Sequence, residues 1–266
     1  MFDKPFSKIA IIGAGNVATH LGSALMKAGQ PLHCICNRDE EKGQRLASLL
    51  GVQYIYDLTL LNQYDLIILA VSDDAITTVA NQLKECSALV VHTSGTMPLS
   101  SLSVIGANIG VFYPLQTFSK QHAVDFSIIP ICVYSTTEKY NQLLFSLACQ
   151  LSNTVHVISD DQRRKIHIAA VLVNNFSNYL YIRAFDFLHE NNLPVDLLKP
   201  LIIETALKIN DIPPFEAQTG PAKRGDMETI SKHLELVKND QELSELYRII
   251  TNRVLSIYHP GATIKD

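Results

Sequence analysis

The chain has 266 residues, of which 47% are hydrophobic and 18% are charged, and its formal net charge is −4. This composition is typical of a soluble globular protein with one large or two ordinary domains. The slightly acidic balance offers no basic surface for nucleic acid or an anionic membrane, and the apolar runs are too short to span a bilayer. We therefore expect neither a nucleic-acid partner nor a membrane partner.

The cysteine pattern indicates the cellular compartment. The five cysteines are an odd number, and they show neither a CxxC pair nor the spacing of a zinc site. We expect reduced, mostly buried thiols in a cytoplasmic protein and no bound metal. The cysteines are Cys34, Cys36, Cys86, Cys132 and Cys149.

The first predicted element is a short apolar strand that enters a glycine-rich turn, GAGNVA, and continues into a helix. Gly13 would permit the tight turn, Gly15 would let the backbone approach a pyrophosphate, and the small Ala18 would let the helix pack on the strand. The helix N-terminus, at Asn16 and Val17, would present N–H groups to the anion. The turn predicts a dinucleotide site; the alternative is a tight strand–helix connection without a ligand.

Strand and helix patterns then alternate as far as about residue 158, which predicts an α/β fold with a doubly wound, mainly parallel sheet. Predicted strands cover residues 31–36, 54–56, 65–72, 88–93, 108–112, 128–134 and 155–158, with helices at 39–50, 74–84 and 138–151. Beyond that point helical patterns dominate, at residues 160–191, 196–210, 226–238 and 241–258. We place a dinucleotide-binding domain at 1–158 and an all-α substrate and dimerisation domain at 159–266.

The end of the second strand would select the cofactor. An NAD-binding site usually has an acid about 20 residues after the glycines, whereas here the strand is followed by Asn37 and Arg38. The guanidinium of Arg38 can pair with a 2′-phosphate, which favours NADP. Asp39 could still accept from the ribose hydroxyls of NAD, and Arg38 could be an unengaged surface residue.

Polar residues follow the next two strands, at the edge where open α/β sheets bind ligands. Val71 and Ser72 would line the cofactor, while Asp73 or Asp74 would cap the helix that follows. The next strand ends in the motif HTSGT, residues 92–96.

In that motif, His92 could donate a proton or hydrogen-bond the substrate. Thr93 and Ser94 offer hydroxyls to the cofactor, and Gly95 would allow a close approach. The alternative is a purely structural turn in which Ser94 or Thr96 caps the following helix.

The motif FYPLQTF follows the strand at 108–112. The Tyr113–Pro114 pair could fix a turn, in the cis or trans form, that presents Tyr113 and Gln116 to the substrate. The two phenylalanines would belong to the core or to the wall of the cleft.

The long predicted helix carries a polar stripe. His167, Asn174 and Asn178 are spaced at i, i+7 and i+11, which would place them on one helix face. Asn174 lies in an apolar run, AAVLVNNF, where a buried amide needs a hydrogen-bond partner. We consider two roles for it, either in the site or in a contact between helices or subunits.

The motif TGPAKRGD, residues 219–226, lies between helices of the second predicted domain. Arg224 could bind a substrate carboxylate or a cofactor phosphate, and the alternative is a structural salt bridge. Asp226 would cap the following helix.

Together GAGNVA, AVSDDAI, HTSGT, FYPLQTF and TGPAKRGD resemble the oxidoreductase family that joins a Rossmann-like domain to a C-terminal helical domain of unknown function. The layout is more distantly similar to pyrroline-carboxylate reductase, ketopantoate reductase and the β-hydroxyacid dehydrogenases. The resemblance implies NAD(P) on the first domain, a site completed by the helical domain, and a homodimer formed through that domain. Some of these relatives use a Lys and an Asn on the corresponding helix, whereas this stripe has no Lys.

The sequence therefore predicts an NADP-dependent oxidoreductase, with NAD as the alternative cofactor, acting on a small anionic carbonyl or imine compound. His167 would polarise or protonate the substrate, with His92 as the competing acid. Asn174 would orient the substrate, and Tyr113, Gln116, Asn178 and Arg224 would bind it. The alternative hypothesis is a non-catalytic NAD(P)-binding sensor or scaffold dimer.

Overall fold

The computed structural model describes residues 5–264. Within that range eight strands form one sheet in the order β3-β2-β1-β4-β5-β6-β7-β8. All neighbouring strands are parallel except β6 and β7. The strands are β1 (Ile9–Ile12), β2 (Leu32–Cys36), β3 (Gln53–Ile55), β4 (Leu66–Leu69), β5 (Leu89–His92), β6 (Ile109–Pro114), β7 (Ile131–Ser135) and β8 (Val155–Val157).

The central strands are buried on both faces. Every residue of β1, β4 and β5 is buried. Their side chains alternate between two core clusters, so that Ile9 and Ile11 pack on one face while Ala10 and Ile12 pack on the other. A parallel sheet covered on both faces needs apolar residues at every position, which is why these strands appear in the sequence as continuous apolar runs.

Helices cover this sheet, and the predicted α/β fold is confirmed. They are α1 (Asn16–Lys27), α2 (Glu40–Leu50), α3 (Asp73–Gln82) and α4 (Glu138–Cys149), with 3₁₀ segments at Leu58–Gln63, Leu99–Ile105 and Phe126–Ile128. The cysteines are free, four of them buried and Cys149 exposed.

The strand order reverses beside β1, because β2 and β3 lie on one side of it and β4 to β6 on the other. Such a switch point creates a crevice outside the carboxyl ends of the strands, where open α/β sheets bind their ligands. The loops after β1, β2, β4, β5 and β6 all leave the sheet at this edge, since these strands are mutually parallel.

The remainder of the chain is helical. It contains α5 (Asp160–Ala170), a π-helical segment (Val171–Phe176), α6 (Ser177–Glu190), α7 (Lys199–Lys208), α8 (Pro214–Ala217), α9 (Pro221–Arg224), α10 (Met227–Leu236) and α11 (Gln241–Tyr258), with a 3₁₀ turn at Val195–Leu198. None of the helices in residues 5–264 is long and apolar enough to cross a membrane.

Internal contacts divide the chain into two units, the first ending at Phe176 and the second beginning at Ser177. The sequence placed a domain boundary at 158/159, where the composition changes. The contact division comes later because α5 is hydrogen-bonded to the loop after β5: Asp160 Oδ2 accepts from Leu99 N at 2.7 Å.

Candidate active site

The glycine turn has the backbone geometry that the sequence predicts. Gly13 has a φ of 123°, and its N–H donates to Cys36 O at 2.7 Å. A Cβ at this position would lie 2.7 Å from the carbonyl carbon of Ala70 and would overlap its oxygen. Ala18 is completely buried in the core. Position 13 therefore requires glycine, because the ends of β1 and β4 meet there.

The start of α1 is open and suited to an anion. Gly15 caps the helix without a side-chain hydrogen bond, and the first turn has no acidic residue. A Cβ built on Gly15 would meet nothing within 4 Å, so a ligand could approach the backbone closely. The positive end of the helix dipole and the N–H groups of the first turn fit a pyrophosphate.

Asn16 has a side-chain contact that the sequence does not reveal. Its amide Nδ2 donates to Phe118 O at 2.7 Å, in the segment that follows β6. The amide thus anchors that segment with one of its two N–H donors. Val17, the next residue, is half-buried.

The loop after β2 is held by local hydrogen bonds. Tyr54 donates its hydroxyl to Asn37 O at 2.9 Å, and Asn37 Nδ2 donates to Asp39 O at 2.7 Å. Asp39 caps α2 and forms an ion pair with Lys42 at 2.8 Å; the hydrogen bond from the Lys42 side chain lowers the pKa of Asp39. Arg38 is exposed beside it. The carboxylate of Asp39 is thus engaged, whereas Arg38 extends into solvent.

The loop after β4 departs from the predicted capping. Helix α3 begins at Asp73, its N-cap is Ser72, and no side chain caps it. Neither Asp73 nor Asp74 is therefore the cap, and that prediction is wrong. Asp73 instead accepts a hydrogen bond from the Thr96 hydroxyl, so its carboxylate connects the β4 loop to the β5 loop. Val71, at the strand end, is half-buried.

His92 is completely buried at the end of β5. Its Nδ1 accepts from Ser94 N at 3.2 Å, which leaves the proton on Nε2, an atom with no partner among the described residues. Burial, together with the positive charge of Arg163, lowers the pKa of His92 to about 4. At neutral pH the ring is uncharged and enclosed, which argues against His92 as an imidazolium acid.

The hydroxyls of HTSGT mostly satisfy the local backbone. Ser94 Oγ accepts from Thr96 N and Met97 N, at 3.1 and 3.0 Å, and so shapes the turn. The hydroxyl of Thr93 donates to Leu69 O at 3.3 Å. Thr93 and Ser94 are both buried, with 8% of their surface exposed.

Tyr113 and His167 come together beside Gly95. The Tyr113 hydroxyl lies 3.2 Å from His167 Nδ1. A Cβ on Gly95 would overlap His167 Nδ1 and lie 2.9 Å from the Tyr113 hydroxyl. Burial raises the pKa of Tyr113 to about 12. Residues from the β5 loop, β6 and α5 therefore form one polar cluster at the carboxyl edge of the sheet, although they are far apart in the sequence.

The turn predicted at Tyr113 is absent. Strand β6 continues through Pro114, and none of the described peptide bonds is cis. Gln116, which the sequence assigned to substrate, is exposed, and its Oε1 accepts from Thr117 N at 2.8 Å.

Arg163 and Asp160 form an ion pair within α5 and fix that helix against the β5 loop, through contacts that the sequence does not reveal. Arg163 is completely buried, bonds Asp160 Oδ1 at 2.8 Å and donates to Met97 O. Arginine is rarely buried, so a basic residue in the first turn of a helix gives no sequence signal of this role. The pair orients α5, which carries His167.

The π-helical segment changes the expected polar stripe. Asn174 lies within it, and the spacing argument assumed regular α-helical turns. A π turn takes more residues, so Asn174 is rotated away from the position that i+7 spacing gives relative to His167. Asn174 is half-buried rather than enclosed. Asn178 is exposed and belongs to the second unit.

Arg224 lies at the end of α9 in the second unit, with an exposed side chain that is 3.9 Å from Asp226. Asp226 caps α10 by accepting from Thr229 N at 3.0 Å, as predicted.

Among the described residues no cluster of histidine, cysteine and carboxylate side chains could hold a metal ion.

Comparisons with known proteins agree with this geometry. Residues 8–94 match the family described as NADP oxidoreductase coenzyme F420-dependent. Residues 129–254 match a domain of unknown function, DUF2520. A search of the curated proteins finds no match.

A crystal structure of a "putative NADP oxidoreductase" from Bacteroides fragilis is 36% identical, with a TM-score of 0.87, over 96% of this chain and 100% of that chain. The sheet and the glycine turn define a protein of Rossmann-like architecture with a helical C-terminal region. The chain belongs to this NADP oxidoreductase family, and the resemblance seen in its motifs is confirmed.

Two further structures share the fold. The pyrroline-5-carboxylate reductase of Coxiella burnetii is 16% identical, with a TM-score of 0.59, over 95% of this chain and 97% of that chain. The imine reductase of Myxococcus stipitatus, in complex with NADP⁺, is 13% identical, with a TM-score of 0.65, over 94% and 92%.

Proposed function

We propose that this protein is an NADP-dependent oxidoreductase that reduces a small anionic substrate at a C=O or C=N bond. The observation that carries the proposal is the contact between Tyr113 and His167 at the same sheet edge as the glycine turn. This arrangement would place a proton-holding pair in the crevice where α/β folds of this kind bind dinucleotides.

Residues of the first unit fit the cofactor. Gly13 and Gly15 would hold the pyrophosphate at the open start of α1, as their geometry allows. Val71, Ser72, Thr93 and Ser94 would line the cofactor through backbone groups, since the hydroxyls of Thr93 and Ser94 are engaged. Arg38 would pair with the 2′-phosphate. The engagement of Asp39 with Lys42 supports NADP over NAD, because an NAD site needs a carboxylate for the ribose.

The protein residues would orient the substrate and supply its proton, while a bound reduced nicotinamide would supply the hydride. The Tyr113 hydroxyl lies 3.2 Å from His167 Nδ1, and in this proposal it donates to that nitrogen. The imidazole proton would then be on Nε2. From Nε2, His167 would donate this proton to the substrate oxygen or nitrogen as its carbon is reduced, while Nδ1 would take up the Tyr113 proton, so that the imidazole stays neutral and Tyr113 is re-protonated from solvent. His92 is the weaker candidate because it is completely buried and its Nδ1 accepts from the backbone N–H of Ser94, a group that cannot pass on a proton.

Asn174, Asn178 and Arg224 remain candidates for binding the substrate. The ion pair of Arg224 with Asp226 is exposed and long, at 3.9 Å, so it would hold the guanidinium only weakly. Arg224 therefore stays available to a substrate carboxylate. A pyrroline-5-carboxylate reductase and an imine reductase share this fold, which supports a C=N bond as the reacting group.

The cofactor assignment is tested by titrating the purified protein with NADPH and NADH and following nicotinamide fluorescence. Arg38→Gln should weaken NADPH binding by about tenfold or more, since a charge-assisted pair is lost, and leave NADH unchanged. Arg45→Gln, on the exposed surface of α2, is the matched control and should change neither. Wild-type protein that bound neither dinucleotide would contradict the proposal.

Catalysis is tested separately, with NADPH and a panel of 2-keto acids and cyclic imines. Turnover by the wild type and its loss in His167→Gln would support His167 as the proton donor. NADPH binding without turnover on any of these compounds would instead favour a non-catalytic NAD(P)-binding sensor.

We also propose that the protein forms a homodimer through its helical region. Helices α6 and α7 have no buried residue within the described chain, and they expose large apolar side chains such as Ile182, Ile203 and Leu207. Exposed apolar side chains in such numbers on neighbouring stretches of the chain support a protein–protein interface there. A second copy of this chain is the partner that the distant relatives lead us to expect.

A further inference from the structure

The segment that follows β6 crosses to the start of α1. We call residues 116–123 the strap. Two of its carbonyls bind side chains of α1: Phe118 O accepts from Asn16 at 2.7 Å, and Ser119 O is 2.9 Å from His20 Nε2. Phe118 is buried and stacks on the His20 ring, with centroids 5.0 Å apart. These contacts fix the strap beside the glycine turn.

The strap brings a cation to that turn. Lys120 Nζ donates to Ala14 O at 3.2 Å, and Ala14 lies between the two glycines. The turn from Gly13 to Ala18 contains no Lys or Arg, and the lysine of α1, Lys27, lies in the last turn of that helix. Lys120 is thus an ammonium group at the place where the proposed function puts two phosphates.

The contact with Ala14 O leaves the ammonium group of Lys120 available to bind a phosphate. An ammonium group has three donors, of which the Ala14 carbonyl takes one. Ala14 O is neutral, so the charge of Lys120 is not compensated by it. The side chain is exposed and flexible, so its head can shift by a rotamer change while the strap stays anchored through Asn16 and His20.

We propose that Lys120 binds the pyrophosphate of the dinucleotide, supplying the positive charge that the glycine turn itself lacks. The inference rests on the proposed function, because it assumes that the turn holds a dinucleotide. It adds a residue that is more than 100 positions away in the sequence from the turn it serves. The strap would then be the part of the cofactor site that recognises the phosphates by charge, while the α1 backbone recognises them by hydrogen bonds.

The variant Lys120→Gln tests this assignment. Glutamine retains an N–H donor for Ala14 O but removes the charge. We expect NADPH and NADH to bind about tenfold more weakly, by the same factor, because both contain the pyrophosphate. Adenosine 2′-monophosphate, which lacks the pyrophosphate, should compete as well with the variant as with the wild type. Lys120→Arg should retain most of the affinity for both dinucleotides.

Lys27→Gln is the matched control, since it removes the same charge from the far end of α1 and should change no affinity. A salt titration distinguishes two roles for Lys120: binding the pyrophosphate, and only holding the strap against the glycine turn. The wild type should lose NADH affinity with rising salt more steeply than Lys120→Gln, because a charge pair is screened. A purely structural tie would leave the two salt dependences parallel.

Two results would overturn the assignment: unchanged affinities in Lys120→Gln, or a loss confined to NADPH, which would move Lys120 to the 2′-phosphate. Failure of the wild type to bind either dinucleotide would overturn the proposed function and this inference together. Normal binding by the wild type with no effect of Lys120→Gln would overturn this inference alone.

Discussion

Gly95 is the residue on which the Tyr113–His167 contact depends. The missing side chain leaves the room that His167 Nδ1 and the Tyr113 ring occupy. In Gly95→Ala the new methyl group would force one of these side chains away. We expect a loss of about 100-fold in kcat/KM, the usual effect of displacing a reacting group by about 1 Å. Steady-state kinetics with NADPH and a substrate found in the panel would measure this loss.

The control for Gly95→Ala separates activity from stability. Gly29→Ala strains a residue with a φ of 66° in the first unit, where a Cβ would meet nothing within 4 Å. It should lower the melting temperature but keep kcat/KM. If Gly95→Ala retained wild-type activity, the contact between Tyr113 and His167 would have no part in the reaction.

His92 makes the stability of the fold depend on pH. Its pKa is about 4 in the folded protein and 6.5 in the reference state, so the unfolded chain binds more protons between these values. The free energy of unfolding therefore rises with pH across this window. The part that the neutral His92 ring contributes is lost as the pH falls from 6.5 to about 4. The full contribution is about 3 kcal/mol, from 1.36 kcal/mol for each pKa unit.

Urea unfolding at pH 7, 6, 5 and 4 would measure the effect of His92. Carboxylates also titrate at the acid end of this range, so the informative quantity is the difference between the wild type and His92→Gln. We expect the gap between their free energies of unfolding to narrow as the pH falls, whatever the cost of the substitution at pH 7. A constant gap would show that His92 is not buried in its neutral form.

At the scale of secondary structure, the sequence predicts what each element buries but not which neighbour it pairs with. Strands β1, β4 and β5 were predictable because both of their faces are covered. The end of β6 was not. Antiparallel β7 pairs with Tyr113 and Pro114, while the register with β5 ends at Val111. Strand β5 no longer pairs with β6 beyond Val111. The N–H that Pro114 lacks is therefore not needed for a hydrogen bond to β5, and the strand can continue through this proline.

The same limit applies to the candidate site. The glycine turn and Arg38 follow from local sequence, because a βα unit folds from neighbouring residues. The roles of Arg163 and Lys120 depend on contacts with Met97 and Ala14, far away in the chain. Helical periodicity likewise assumes regular α turns, and the apolar run around Asn174 gives no local sign of the π turn. Contacts of this kind become visible only in the folded chain.

At the scale of the whole molecule, the first unit has a well-buried core, whereas helices of the second unit leave apolar side chains in solvent. The core clusters consist of residues around the sheet. In contrast, α7 exposes Leu201, Ile203 and Leu207 by more than half of their surface. Covering the exposed apolar side chains of α7 would stabilise the protein, because removing apolar surface from water is favourable.

The dimer proposal predicts that the mass in solution is twice the 29.5 kDa of the chain and depends on α7. Ile203 and Leu207 are one helical turn apart, so the double variant Ile203→Glu/Leu207→Glu puts two charges into one exposed face. Light scattering should then give the mass of a single chain. Leu236→Glu, at a still more exposed position at the end of α10, is the control and should leave the double mass unchanged. A wild type with the mass of one chain would contradict the dimer, and a double variant that kept twice that mass would exclude α7 from its interface.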